Sequence, residues 1–91
     1  MGDVIYEPSE QDEIIETFSA LLRLATKDGG RKRAAGLKVP WMEDRGHEAA
    51  MFRHLARWKS DPDGRDEDSG AHHLVAVAWR ALAIAWQETH R

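Results

Sequence analysis

Apolar residues recur at helical spacing in three segments of the chain, separated by two stretches with no period. In the first segment Ile14, Ile15, Phe18, Leu21, Leu22 and Ala25 share one arc of a helical wheel, behind a capping pattern of Ser9 and Asp12. This predicts a helix over about residues 9–27, ended by Gly29-Gly30. A second helix, over about residues 44–59, places Ala50, Met51, His54, Leu55 and Trp58 on one side and is closed by Pro62 and Gly64. A third, over about residues 71–88, follows the turn Asp66-Glu67-Asp68-Ser69-Gly70, in which Ser69 or Asp68 is placed to cap it. The expected fold is all-α: a single three-helix domain over residues 1–91, with a basic loop at 28–42 and an acidic loop at 60–70.

The third helix departs from ordinary amphipathicity. Leu74, Val75, Val77, Trp79, Leu82, Ile84 and Trp86 surround most of it and leave His73, Arg80 and Gln87 as a narrow polar stripe at heptad spacing. A helix that is apolar nearly all round needs cover, and two other helices in 91 residues supply little of it. A homodimer or higher assembly is therefore expected, through a face where Ala71, Ala78, Ala81 and Ala85 permit close backbone approach. The other reading of that surface is a docking face for a different protein.

Charge and composition narrow the partners. A formal net charge of -3 argues against a charge-driven duplex-DNA binder, which needs a basic surface to neutralise phosphates. With no cysteine, a metal site must be built from His, Asp or Glu. The acidic opening segment lacks the basic-then-apolar pattern of a signal peptide, and no apolar run approaches a membrane span, so a cytoplasmic protein with no membrane partner is expected. The dense basic run Arg31-Lys32-Arg33 reads either as a solvated loop or as a local site for a phosphorylated ligand. Trp41, after Pro40, reads either as a plug for the end of the bundle or as a platform on which a base stacks while the basic run holds phosphate.

His54 on the inward stripe of the second helix and His73 at the head of the third can face one cavity. With Asp66 or Asp68 they would form an imidazole and carboxylate cluster able to hold a divalent cation or orient a phosphate; the plainer reading is a hydrogen-bonded core histidine and a capping turn. Arg80, on a helix expected to be buried, requires a carboxylate such as Asp66, Asp68 or Glu48, or a bound phosphate. Arg53 and Arg57 read as surface charges. The Glu13 and Glu16 pair has magnesium-binding spacing, yet falls on the polar side of its helix and reads as solvated surface.

Three blocks carry a family resemblance: Phe52-Arg53-His54-Leu55-Ala56-Arg57-Trp58, then Asp66-Glu67-Asp68-Ser69-Gly70-Ala71-His72-His73-Leu74, then Ala78-Trp79-Arg80. In order and spacing they resemble the N-terminal domain of phage-type dATP/dGTP diphosphohydrolases, over about half the chain. Many members carry a His and an Asn where this chain has Ala76 and Arg80. The resemblance implies a helical domain related to MazG-like pyrophosphohydrolases, acting on purine deoxynucleoside triphosphates and releasing pyrophosphate. For a phage-encoded chain the setting would be the host cytoplasm. Carried over by position, the family pattern falls on Arg53, His54, Asp66, Asp68, Ser69, Gly70 and His73.

Three functions stay open on this reading. In a hydrolase dependent on Mg2+ or Mn2+, Asp66, Asp68, His54 and His73 hold the metal and perform the chemistry, while Arg31, Lys32, Arg33, Arg53, Arg80 and Trp41 bind the nucleotide. In a non-catalytic module the same residues capture a nucleotide or nucleotide signal intact. In an oligomeric adaptor the third helix docks another protein and no nucleotide binds.

Overall fold

The computed structural model describes residues 8–37 and 39–91. The opening segment, on which the signal-peptide reading rested, lies outside them for residues 1–7, as does Lys38 of the expected basic loop. Three α-helices follow one another, α1 over Pro8–Ala34, α2 over His47–Ser60 and α3 over His73–Thr89. There is no strand among the described residues; one isolated antiparallel bridge joins Arg65 to His72.

α1 is longer than the expected helix by two turns at its C-terminal end. Gly29-Gly30 does not stop it, and the Arg31-Lys32-Arg33 run is helical rather than looped. The reason is packing. Gly29 is buried, and a Cβ there would stand 3.0 Å from Nη1 of Arg33, so its missing side chain makes room for a guanidinium folded back along the same helix face. The stop comes instead at Gly36, whose φ of 75° is a left-handed conformation. There Leu37 N–H bonds to Lys32 C=O and Gly36 N–H to Arg33 C=O, the paired closure of a Schellman cap. Ser9 lies inside the helix, which opens on Pro8 in keeping with proline's fitness for a first helical position.

α2 and α3 form an antiparallel αα-hairpin, and α1 packs on α3. Contact falls on the C-terminal half of α1, where Leu22, Ala25, Asp28, Gly29, Gly30, Lys32 and Arg33 are at least partly covered. Trp79 Nε1 on α3 donates to Thr26 Oγ1 on α1 at 2.7 Å. In the N-terminal half Ile14, Ile15, Phe18 and Leu21 remain exposed, as do Glu13 and Glu16.

α3 begins two residues later than expected, and its cap is His72, whose Nδ1 accepts from Leu74 N–H at 3.0 Å. Ser69 and Asp68 do not cap it. Ser69 belongs to a turn in which Asp66 Oδ2 accepts from both its N–H and its hydroxyl, at 2.9 and 2.8 Å, while Asp66 N–H reaches Ala71 C=O and Gly70 supplies a φ of 76°.

The buried core is sparse: Ala50, Ala71, Ala76 and Ala83 are its apolar members, and the largest fully buried side chain is His47. α3 is therefore not enclosed on all sides. Leu74, Ala78, Ala81 and Ala85 are exposed, whereas Ala71 is only 1% exposed within its own chain and leaves the free face expected of it. Because Gly36 is strained for any other residue, Gly36→Ala should cost about 1 kcal/mol, lowering the melting midpoint by about 4–8 °C for a chain of this size. A calorimetric scan showing no shift would remove the Schellman cap as the terminator of α1.

Candidate functional site

The polar stripe of α3 points inward. Along the hairpin seam His73 Nδ1 meets Nδ1 of His54 on α2 at 3.0 Å, and one heptad on Arg80 donates through Nη1 to Nδ1 of His47 at 2.8 Å. One heptad further, Gln87 Nε2 donates to the carbonyls of Trp41, Met42 and Asp44. The antiparallel register makes these pairs inevitable: stepping seven residues forward along α3 steps seven residues back along α2.

Each pair fixes protons. His47 Nδ1 accepts from Arg80, so its Nε2–H is the donor to Trp41 C=O at 2.6 Å. Arg80 also reaches Asp44 Oδ2 at 3.5 Å. Its partners are thus Asp44 and His47, not Asp66, Asp68 or Glu48 as expected, because the hairpin register sets it opposite the start of α2. Between His54 and His73 one Nδ1 donates and the other accepts, so the two rings cannot both be imidazolium and keep the bond. Burial pushes the pKa of His54 below 6.5, aided by His73, Arg57 and Arg80, against the pull of Asp66.

On the α1 side of this seam opens a cleft of about 280 Å³. Its cations are Lys32, Arg33, Arg53, Arg57 and Arg80; its carboxylates are Asp28, Asp66 and Asp68; His54, Ser69 and Trp79 complete the polar wall. Five positive side chains against three negative ones reverse the sign of the whole chain, so the cleft attracts anions that the rest of the surface repels. Arg80 registers the crowding: burial, then repulsion from Arg53 and Arg33, lowers its pKa against the pull of Asp44.

At the acidic end, oxygens of Asp28, Asp66 and Asp68 lie within 4.8 Å of one another. Lys32 Nζ stands among them, 2.6 Å from Asp68 and 3.2 Å from Asp28, and the bond to Asp68 holds its pKa up. Burial opposes ionisation of Asp66, but the Ser69 N–H and hydroxyl, with the charges of His54 and Lys32, bring its pKa below 3.8. Against burial, the pKa of Asp28 is lowered as well, by its bonds to Arg31 and Lys32. A divalent ion preferring oxygen, such as Mg2+ or Mn2+, suits an all-carboxylate set of this span.

The residues singled out by sequence distribute unevenly over this cleft. Lys32, Arg33, Arg53, His54, Asp66, Asp68 and Arg80 line it. Arg31 does not: its side chain is 68% exposed and pairs with Asp28 from outside. His73 is buried against His54 and borders a separate opening with Arg57 and Glu67. Of the expected cluster of two imidazoles with two aspartates, the rings turn their Nδ1 atoms to each other, and Asp66 and Asp68 converge with Asp28. Trp41 packs edge-on against Trp86 with centroids 5.0 Å apart and lines a neighbouring apolar cleft with Arg33. Asp28 and His47 escaped the sequence reading, and Arg57, read as a surface charge, is exposed at the cleft. For Asp28 the available signal was its four-residue spacing to Lys32, visible once the helix is continued through the glycines.

Residues 24–91 match the family described as dATP/dGTP diphosphohydrolase, N-terminal. The chain belongs to that family. No curated protein and no solved structure matches it. Every residue of the cationic cleft falls within the span matched to the dATP/dGTP diphosphohydrolase N-terminal domain, whereas the exposed first half of α1 precedes it. No helix among the described residues is long and apolar enough to cross a membrane.

The His54 shift has a definite sign. A histidine whose folded pKa is depressed contributes stability that is present above its unfolded value of 6.5 and lost as pH falls through the folded value. The lowered carboxylates Asp28, Asp44 and Asp66 act only below 3.8. Thermal midpoints should therefore hold level just above pH 6.5 and decline below it, and His54→Gln should flatten that decline. An unchanged slope in the variant would assign the acid loss to another group.

Proposed function

We propose that the cleft binds the polyphosphate of a purine deoxynucleoside triphosphate and releases pyrophosphate from it. The observation carrying this reading is the juxtaposition of five cations with three carboxylates in one opening of a chain that is otherwise net negative. Polyphosphate needs the cations, and the acids serve the metal that escorts it. Membership of the dATP/dGTP diphosphohydrolase N-terminal family supports the ligand class.

In this reading Arg33, Arg53 and Arg80 meet the phosphate oxygens, with Arg57 at the rim. Arg80 is held for the task by His47 and Asp44, so its orientation costs little on binding. Asp28, Asp66 and Asp68 would hold Mg2+ or Mn2+, and Lys32 would swing from them toward the phosphates. The chemistry such an ion supplies when bound is neutralisation of phosphate charge and acidification of water. His54, neutral at pH 7 through its lowered pKa, is available to accept a proton at the cleft wall and is steadied by His73.

Assembly with further copies belongs to the same proposal. The apolar stripe that packs α1 on α3 continues without cover through Ile14 and Phe18, and α3 shows Leu74 and its exposed alanines on the far side.

Incubation of the protein with dATP or dGTP and Mg2+ or Mn2+ should yield the monophosphate and pyrophosphate, read by ion-pair chromatography. Asp28→Asn with Asp66→Asn should reduce the rate at least about 100-fold, and Arg53→Gln should weaken nucleotide binding more than turnover. Binding with the triphosphate recovered intact would replace hydrolysis by capture; neither binding nor turnover would overturn the nucleotide reading.

A further inference from the structure

Ile14 opens a second apolar stripe on α1, turned away from the face that packs on α3. Thr17, Leu21 and Leu24 follow it at spacings of three, four and three residues, the a and d positions of a coiled-coil seam. All four are exposed, with Ile14 at 38%, Leu21 at 44% and Leu24 at 48%. The helix that carries them has 27 residues against 17 in α3, about 40 Å against about 25 Å. Leu22 and Trp86 share a wall near the end of α3, so the turns of α1 before Leu22 run on past the hairpin.

We infer that this stripe is an interface on which a second copy of the chain lays the same stripe, the two α1 helices running antiparallel. The inference rests on the assembly proposed above and gives it a face, a direction and a register. Charge sets the direction. Residues 9–20 carry Glu10, Asp12, Glu13 and Glu16 and no Lys or Arg, whereas residues 21–34 carry Arg23, Lys27, Arg31, Lys32 and Arg33 against Asp28 alone. Parallel pairing would set acid beside acid and base beside base. Antiparallel pairing lays each acidic half along the other's basic half.

The heptad sets the register. In antiparallel helices a positions meet d positions, so Ile14 faces Leu24 and Thr17 faces Leu21 of the second copy, each pair twice about a twofold axis. The hollow that Leu24 would enter is already formed. Glu10, Glu13, Ile14 and Thr17, spaced i, i+3, i+4 and i+7, line with Phe18 a depression of about 250 Å³. On one flank this register sets Glu13 against Lys27 at both ends of the seam; neither has an ion-pair partner in its own chain among the described residues. On the other flank Phe18, 57% exposed, meets its own copy across the axis. The layer beyond Leu24 opposes Asp28 to Glu10, and Arg31, exposed and 2.8 Å from Asp28, stands there to answer both carboxylates.

Sedimentation of the full chain should show a species of twice the chain mass. Leu21→Asp, at a residue already exposed in its own chain, should keep the helix content by circular dichroism and shift that species to monomer. Glu13→Lys should weaken the dimer about tenfold, and Lys27→Glu in the same chain should restore it. Because the sequence has no cysteine, introduced thiols report proximity cleanly. Ala20→Cys, on the Glu13 flank near the axis, should form a disulfide-linked dimer on mild oxidation, and Glu16→Cys, on the opposite side of the helix, should not. An assembly untouched by Leu21→Asp and by charge reversal would overturn the α1 seam and leave assembly to the outer face of α3. A monomer at every concentration would overturn both and give the stripe to a different protein. Neither result alters the nucleotide test.

Discussion

A guanidinium, three imidazoles and a carboxamide on the inner side of a helix hairpin constrain everything else in this protein. His73, Arg80 and Gln87 cannot be withdrawn from water unless each finds a partner, since an unpaired buried polar group costs more than the apolar contact beside it returns. The pairs His54 with His73 and His47 with Arg80, and the carbonyls around Gln87, meet that demand completely: no buried side-chain polar atom lacks a partner among the described residues. They also fix register. Sliding α2 by one residue would orphan His73 and Arg80 together, so a seam of directional bonds specifies the hairpin where a seam of alanines alone would let it slip.

The same seam sets the electrostatics of the cleft. Arg80 is held by an imidazole and only loosely by Asp44, at 3.5 Å, and it keeps uncancelled charge toward Arg33 and Arg53. Arg33 in turn reaches the cleft because Gly29 has no side chain to block it. Such crowding of like charge is unfavourable, and an anion bound there would relieve it. Lys32 does the converse at the acidic end. By lying between Asp28 and Asp68 it keeps three neighbouring carboxylates tolerable.

Much of this was legible in the sequence, and what was not has physical reasons. Helical periodicity located all three helices, and the heptad stripe of α3 was visible, with His73 read as facing a cavity and Arg80 as needing a buried partner; the partners His47 and Asp44 were not, because they depend on the hairpin register. His47 and His54 stand seven residues apart, as do His73 and Arg80, so the pairing could have been read as two matching heptads on antiparallel helices. Gly29-Gly30 reads as a stop by local propensity, but burial of Gly29 and the fold-back of Arg33 reward continuation. Asp28 was lost with that boundary, since a residue assigned to a loop has no i,i+4 partner. The Asp66 turn was recognised through its family pattern, while the companionship of Asp66 with Asp28 is tertiary and has no local signal.

A core of alanines around a polar seam leads to a particular kind of site. Large aliphatic side chains tolerate small displacements, because dispersion is weakly directional; an Nδ1 to Nδ1 hydrogen bond at 3.0 Å does not. The residues that stabilise the hairpin are therefore the residues that orient the cleft, and rigidity is concentrated at the groups of its wall. Apolar surface is correspondingly left over, on the first half of α1 and the outer face of α3, where cover from another chain would add stability without touching the seam. Division of labour follows: polar bonds within the chain define the geometry of the site, and apolar surface remains available for assembly.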